Sequence, residues 1–167
     1  LFYFCYINKN YHKINKLPPS NNIKMALLKP LVEQLAGHND ARRAFVTYDF
    51  LRKLNLQPQV QPFGSGNHAN IIADLPYTGP PAPALMFTSH YDAIPGSPGA
   101  NDNASAVAVL LGIASLYRNT HAPVPIRLTF FDAEEAGLLG SQAYVKQSRI
   151  RDIGAVLNME MVGQGSI

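Results

Sequence analysis

The spacing of apolar residues changes period along this chain. Between Ala26 and about Leu56 they recur at helical intervals, with Phe45, Tyr48, Leu51 and Leu54 on one stripe. The break at GHND predicts two helices, the second capped by Asp40. QPQVQPF and NIIADL then read as short strands joined by GSGNH, a turn-rich link suited to a hairpin. From Ala84 onward the elements alternate: strand ALMFTSH, helix Asn103 to about Tyr117, strand PIRLTFFD, helix about Leu138 to Gln147, strand GAVLNMEM. Strands separated by single helices run parallel through right-handed crossovers, which cover the faces of the sheet. The helix after Asn103 is apolar almost all round (Val107, Val109, Leu110, Leu111, Ile113, Leu116), as expected of an element buried against a sheet. The predicted fold is α/β, a three-layer α/β/α sandwich around a mixed, mainly parallel sheet.

Composition narrows the rest. At 167 residues and 47% hydrophobic content the chain is the size of one domain and can build a core. Its net charge of +3 is uneven, because the first 24 residues hold Lys9, Lys13, Lys16 and Lys24 and no acid, leaving the body near neutral. The body has no Lys/Arg cluster to neutralise phosphates, so nucleic acid is not an expected partner. Residues 1–24, rich in Asn, Lys, Ile and Tyr, are expected to be a disordered or artefactual extension, and 25–167 the domain. In that leading segment the apolar LFYFCYI precedes the lysines, the reverse of a secretory signal, and no stretch is apolar for long enough to span a bilayer. Cys5 is the single cysteine, so no disulfide framework exists, and the compartment stays open between cytoplasmic and secreted.

In open α/β sheets the ligand crevice lies beyond the carboxyl ends of the parallel strands, and the unusual polar residues fall there. ALMFTSH leads into His90 and Asp92, PIRLTFF into Asp132, Glu134 and Glu135, VLNMEM carries Glu160, and the loop SPGANDN supplies Asp102. Each has an ordinary structural use. Asp132 with Glu135 fits a capping box, and Asn101, Asp102 or Asn103 could cap the following helix. A lone His at a strand end is usually just hydrogen-bonded, Glu160 could lie on a solvated face, and His38, His68 and His121 read as solvated turn residues. These uses leave unexplained why four separate connections bring acid or imidazole to one rim. Acids gathered there repel one another unless cations sit between them, and a divalent metal site resolves that repulsion. His90 and Asp92 alternate on extended chain and face the same way, so Asp92 can accept one imidazole N–H while His90 offers its other nitrogen to metal. Glu134 and Glu135, being adjacent, are expected to point apart, one as ligand and the other free as a base, with Asp132 holding the turn.

Together and in this order, SHYD, SPGANDNASAVAVLL, FFDAEEAGLLGSQAY and LNMEMVG resemble one zinc-dependent exopeptidase family, from about Asn70 to Gly163. It includes bacterial leucine aminopeptidases, glutamate carboxypeptidase, glutaminyl cyclases and the protease-like domain of transferrin receptor. The resemblance implies a pair of zinc ions: His90 and Glu160 on one, Glu135 on the other, and Asp102 bridging both. It makes Glu134 the general base and Asp92 the residue that orients His90. It further implies an aminopeptidase that cuts peptides with a free N-terminus through a zinc-activated water. A non-proline cis peptide at Asp102–Asn103 is expected, as is a sheet whose strands lie first, second, fourth, third, fifth. Many aminopeptidases of the family have Asp where Glu160 stands, and the added methylene changes metal spacing or metal choice. The family also takes a last histidine ligand from well beyond NMEMVG. No such residue follows here, so the domain is expected to be C-terminally incomplete, with the strand leading to Glu160 left as an exposed edge. The same resemblance admits a one-zinc acyl transferase like glutaminyl cyclase, or a non-catalytic protease-like binding domain.

Overall fold

The computed structural model describes residues 5–7, 25–65, 67–148 and 150–163. In chain order the elements are β1 (Cys5–Ile7), α1 (Met25–Leu35), α2 (Asp40–Lys53), β2 (Gln59–Phe63), β3 (His68–Asp74), β4 (Ala84–His90), α3 (Ser105–Leu116), β5 (Ile126–Phe131), α4 (Leu139–Gln147) and β6 (Ile153–Asn158). The strands form one sheet in the order β1-β6-β4-β5-β3-β2. From β2 to β6 this is the expected first, second, fourth, third, fifth arrangement. β4 runs parallel to β5 and β6, while the β2–β3 hairpin joins antiparallel through β3 and β5. The chain leaves β4 for β5 on one side and later returns to β6 on the other, so the strand order reverses at β4. Connections diverge at such a switch point and open a crevice beyond the carboxyl ends. His90 is the last residue of β4.

β6 is not the exposed edge expected from the sequence. Cys5–Ile7 pairs antiparallel with it, Cys5 opposite Leu157 and Ile7 opposite Ala155. An open strand presents a row of unpaired backbone groups, and a short β-branched and aromatic segment of strand-forming composition can satisfy them. These three residues of the leading segment therefore join the sheet instead of lying apart from it, while the others of 1–24 lie outside the described residues.

Helices α1, α2 and α3 share one face of the sheet. There Val107, Leu110 and Leu111 of α3 pack in one core with Leu128 and Phe130 of β5 and with Leu31, Leu35 and Leu51 of the outer helices, all buried. On the other face α4 lies over β2 and β3, with Tyr144 in a smaller cluster beside Ile72, Met86 and Ile153. Phe130 has no exposed surface, so Phe130→Ala is expected to cost about 3–5 kcal/mol through lost burial and the cavity left behind, measured by urea unfolding.

Two details of α2 differ from expectation. The cap is Asn39, whose side chain accepts from Arg42 N–H, because Asp40 instead turns its Oδ1 toward Ala93 N at 3.2 Å. Phe45 is 56% exposed, under the Arg42 guanidinium, and the buried face carries Arg43, Val46, Thr47 and Leu51. The polar Arg43 and Thr47 concealed that face in the hydrophobic pattern. Among the described residues, no helix is long and apolar enough to cross a membrane.

Candidate metal centre

The rim beyond β4 gathers the expected residues around His90, whose side chain is only 2% exposed. Its Nε2 lies 3.1 Å from Asp102 Oδ1, 3.3 Å from Glu160 Oε1 and 4.0 Å from Glu134 Oε2. Two donor sets share this imidazole, His90 with Asp102 and Glu160, and His90 with Glu134 and Glu135. In each set one ligand atom per residue lies within 4.8 Å of the others. Asp102 Oδ1 is buried yet has no hydrogen bond of good geometry. A buried carboxylate oxygen in that state is costly unless something else neutralises it.

The local chain explains how each side chain arrives. Asp92 faces the same way as His90, with Oδ1 at 3.3 Å from Nδ1, short of an aligned hydrogen bond. Its Oδ2 accepts from Glu135 N–H at 3.0 Å, so one carboxylate ties the end of β4 to the turn after β5. That turn rests on Asp132, which accepts from Ala133 N–H, Ala69 N–H and the His68 ring. Asp132 thus holds the turn as expected, but no capping box forms, since α4 begins only at Leu139. Glu134 and Glu135 converge on His90 instead of pointing apart. Strand alternation has ended there, with β5 stopping at Phe131 and Ala133 taking a left-handed φ of 51°.

The peptide Asp102–Asn103 is cis. Asn103 does not cap α3. Its Nδ2 donates to Met159 O and Glu160 Oε2, and its Oδ1 accepts from Met161 N–H. The loop after β6 is thereby fastened to the residue following Asp102, and Glu160 sits just beyond the strand. His68 opens β3 and not the turn, stacked on Phe63 and bonded to Asp132.

The electrostatics follow from crowding. Burial alone would lower the His90 pKa, but Asp92 and Glu160 outweigh it and raise it to about 10. Burial raises the carboxyls of Asp102, Glu134 and Glu135, and neighbouring acids add to this. For Asp92 burial is overcome by His90 and by the backbone N–H groups of Glu135 and Glu134, which hold its carboxyl below the usual range. Without another cation, a protonated imidazole is the positive centre of this acid cluster. A pocket of about 700 Å³ opens from it, lined by His90, Glu134 and Glu160 and then by Met86, Phe131 and Tyr144.

Sequence reasoning missed Arg43. It is fully buried in α2 and donates to the carbonyls of Tyr91, Asp92, Pro98 and Gly99. Its only sequence signal was a charge at the i−4 and i−8 positions from Thr47 and Leu51, on what proves to be the inner face.

Fold and site together define an α/β protein with an acid-lined crevice at the switch point of its sheet. Residues 70–166 match the sequence model of Peptidase family M28, and the chain belongs to that family. It is 42% identical over 82 residues to aminopeptidase YwaD of Bacillus subtilis, covering 47% of this chain and 18% of that protein. BSAP, a zinc aminopeptidase from Bacillus subtilis, superposes with a TM-score of 0.53 at 36% identity, over 57% of this chain and 24% of that one. Glutaminyl cyclase of Tannerella forsythia shares the fold at 20% identity, with a TM-score of 0.62 over 88% of this chain and 64% of that one. The chain thus spans less than a quarter of the length of the Bacillus subtilis proteins it matches.

Proposed function

We propose that this chain carries the general base and metal ligands of a zinc-dependent aminopeptidase. The observation that carries this is Asp102 Oδ1, a buried carboxylate oxygen 3.1 Å from His90 Nε2 without an aligned hydrogen bond, in one donor set with His90 and Glu160 beside a second set of His90, Glu134 and Glu135. Imidazole nitrogen and carboxylate oxygen are ligands that zinc accepts, and a divalent ion would offset the burial and mutual repulsion that raise the pKa values of Asp102, Glu134 and Glu135. His90 and Glu160 would hold one zinc, Glu135 the other, and Asp102 both. Family membership and the zinc named for BSAP support this assignment.

Zinc bound there supplies Lewis acidity, making water more acidic and a peptide carbonyl more electrophilic. The protein's own groups do the rest. Glu134 takes a proton from the attacking water and returns it to the leaving amine. Asp92 keeps His90 in the tautomer that presents Nε2 and also fixes the turn bearing Glu134 and Glu135. Because His90 is protonated at neutral pH when metal is absent, zinc must displace that proton, and binding weakens as pH falls. The substrate class is a peptide with a free N-terminus.

The test uses the natural full-length protein. A chelator is expected to abolish cleavage of a peptide with a free amino terminus, zinc to restore it, and the N-acetylated peptide to resist throughout. Equal cleavage of both peptides, or cleavage that survives metal removal, would rule the reading out.

A further inference from the structure

We propose that Arg43 is a positioning residue for the metal centre. From α2 its guanidinium clamps the two chain segments that deliver Asp92 and Asp102. The proposal rests on the metal-site reading above and adds a residue that the sequence motifs do not contain.

A guanidinium is permanently charged and costly to bury, yet Arg43 has no exposed surface. Its hydrogen bonds all go to backbone carbonyls. Nη1 donates to Tyr91 O at 2.9 Å and points at Asp92 O at 3.5 Å, while Nη2 donates to Pro98 O at 3.1 Å and Gly99 O at 2.7 Å. The first pair of carbonyls belongs to the segment that places Asp92 behind His90. The second pair ends three residues before Asp102. A planar fork with several fixed donors can hold both segments at once, which the single ammonium of a lysine cannot.

The surroundings fit this use. Gly99 has φ of 56°, and a β-carbon there would collide with Arg43 Nη2 and with the carbonyl oxygen of Asp102. The loop is therefore closed onto the guanidinium at Gly99, where there is no side chain to obstruct it. Asp40, three residues earlier on α2, reaches Ala93 N–H inside the same loop, and Gly37 N–H shares the Pro98 carbonyl. The amino end of α2 and the turn before it thus back both ends of the loop from Tyr91 to Gly99. The charge also counts: burial disfavours it, and the charges of Asp40, Asp92 and Asp102 act in the opposite direction. A cation fixed behind the acids limits their mutual repulsion without occupying the space before His90.

A structural filler and a positioning residue predict different results. Loss of a filler lowers stability equally with and without metal, whereas loss of the clamp lowers the stabilisation that metal adds. The experiment measures zinc affinity by chelator competition, and melting temperature with and without zinc, in the natural full-length protein and its R43K, R43M and G99A variants. R43K keeps the charge, and G99A keeps the arginine while disturbing its seat, so these two carry the test even where R43M does not fold. We expect R43K and G99A each to weaken zinc binding by about 10–100-fold, the range typical of residues that orient ligands, and to shrink the zinc-induced rise in melting temperature. Wild-type affinity and a full zinc-induced rise in both folded variants would overturn the role of Arg43 while leaving the zinc site standing. A wild-type protein that binds no zinc would overturn the metal-site reading and this proposal with it.

Discussion

Glu134→Gln is expected to lower kcat/KM for peptide hydrolysis by about 10²–10⁴-fold, the range of a single general base, with zinc binding unchanged. The amide keeps the volume and a hydrogen-bonding oxygen but cannot take up a proton. Glu134 Oε2 stands 4.0 Å from His90 Nε2, farther than either Asp102 or Glu160, as suits a group beside the metal. Burial, reinforced by Glu160, Asp92 and Asp102, raises its carboxyl pKa against the opposing charge of His90, which moves a carboxylate base nearer to working pH. Steady-state kinetics with metal analysis of the same preparation checks the expectation. Loss of zinc together with turnover would mean that Glu134 is a ligand and not the base. The structure makes that outcome concrete, because Glu134 lies in one donor set with His90 and Glu135.

Asp102→Ala is expected to weaken zinc binding by more than about 100-fold, since the ligand proposed to hold both ions should matter more than outer partners, whose loss costs about 10–100-fold. Activity should fall to background. The sign of the stability change separates this from misfolding. Burial, with Glu160 adding to it, raises the Asp102 carboxyl pKa despite His90, so above that range its ionised form opposes folding of the metal-free chain. Removing the carboxyl should therefore leave the metal-free melting temperature at neutral pH unchanged or higher, while the zinc-induced rise disappears. A lower melting temperature in the absence of metal would show that Asp102 supports the fold directly.

Most of what positions the site was legible along the chain. The strands from β2 to β6 fall on the short segments that read as strands in the sequence, and the near-wholly apolar α3 required a sheet to bury it. The convergence of His90, Asp102, Glu134, Glu135 and Glu160 followed from parallel strands that end on one side. What stayed hidden depended on breaks in regularity or on long-range contacts. Adjacent glutamates point apart only on an extended chain, and Ala133 ends that extension. Asn39 caps α2 in place of Asp40 because a loop 53 residues away takes the aspartate. Arg43 carries no motif, and its role shows only once the folded chain turns four carbonyls toward it. Pairing of Cys5–Ile7 with β6 joins the two ends of the chain, a contact that no local pattern encodes.

Asp102, His90, Glu160 and Glu135 are proposed to share zinc, and crystallography can test this at the atoms concerned. The most direct measurement is an anomalous difference map at the zinc absorption edge from crystals of the natural full-length protein. Two peaks are expected, one touching His90 and Glu160, the other touching Glu135, and both touching Asp102. A single peak that leaves Asp102 or Glu135 without metal, or no peak at His90, would contradict this arrangement.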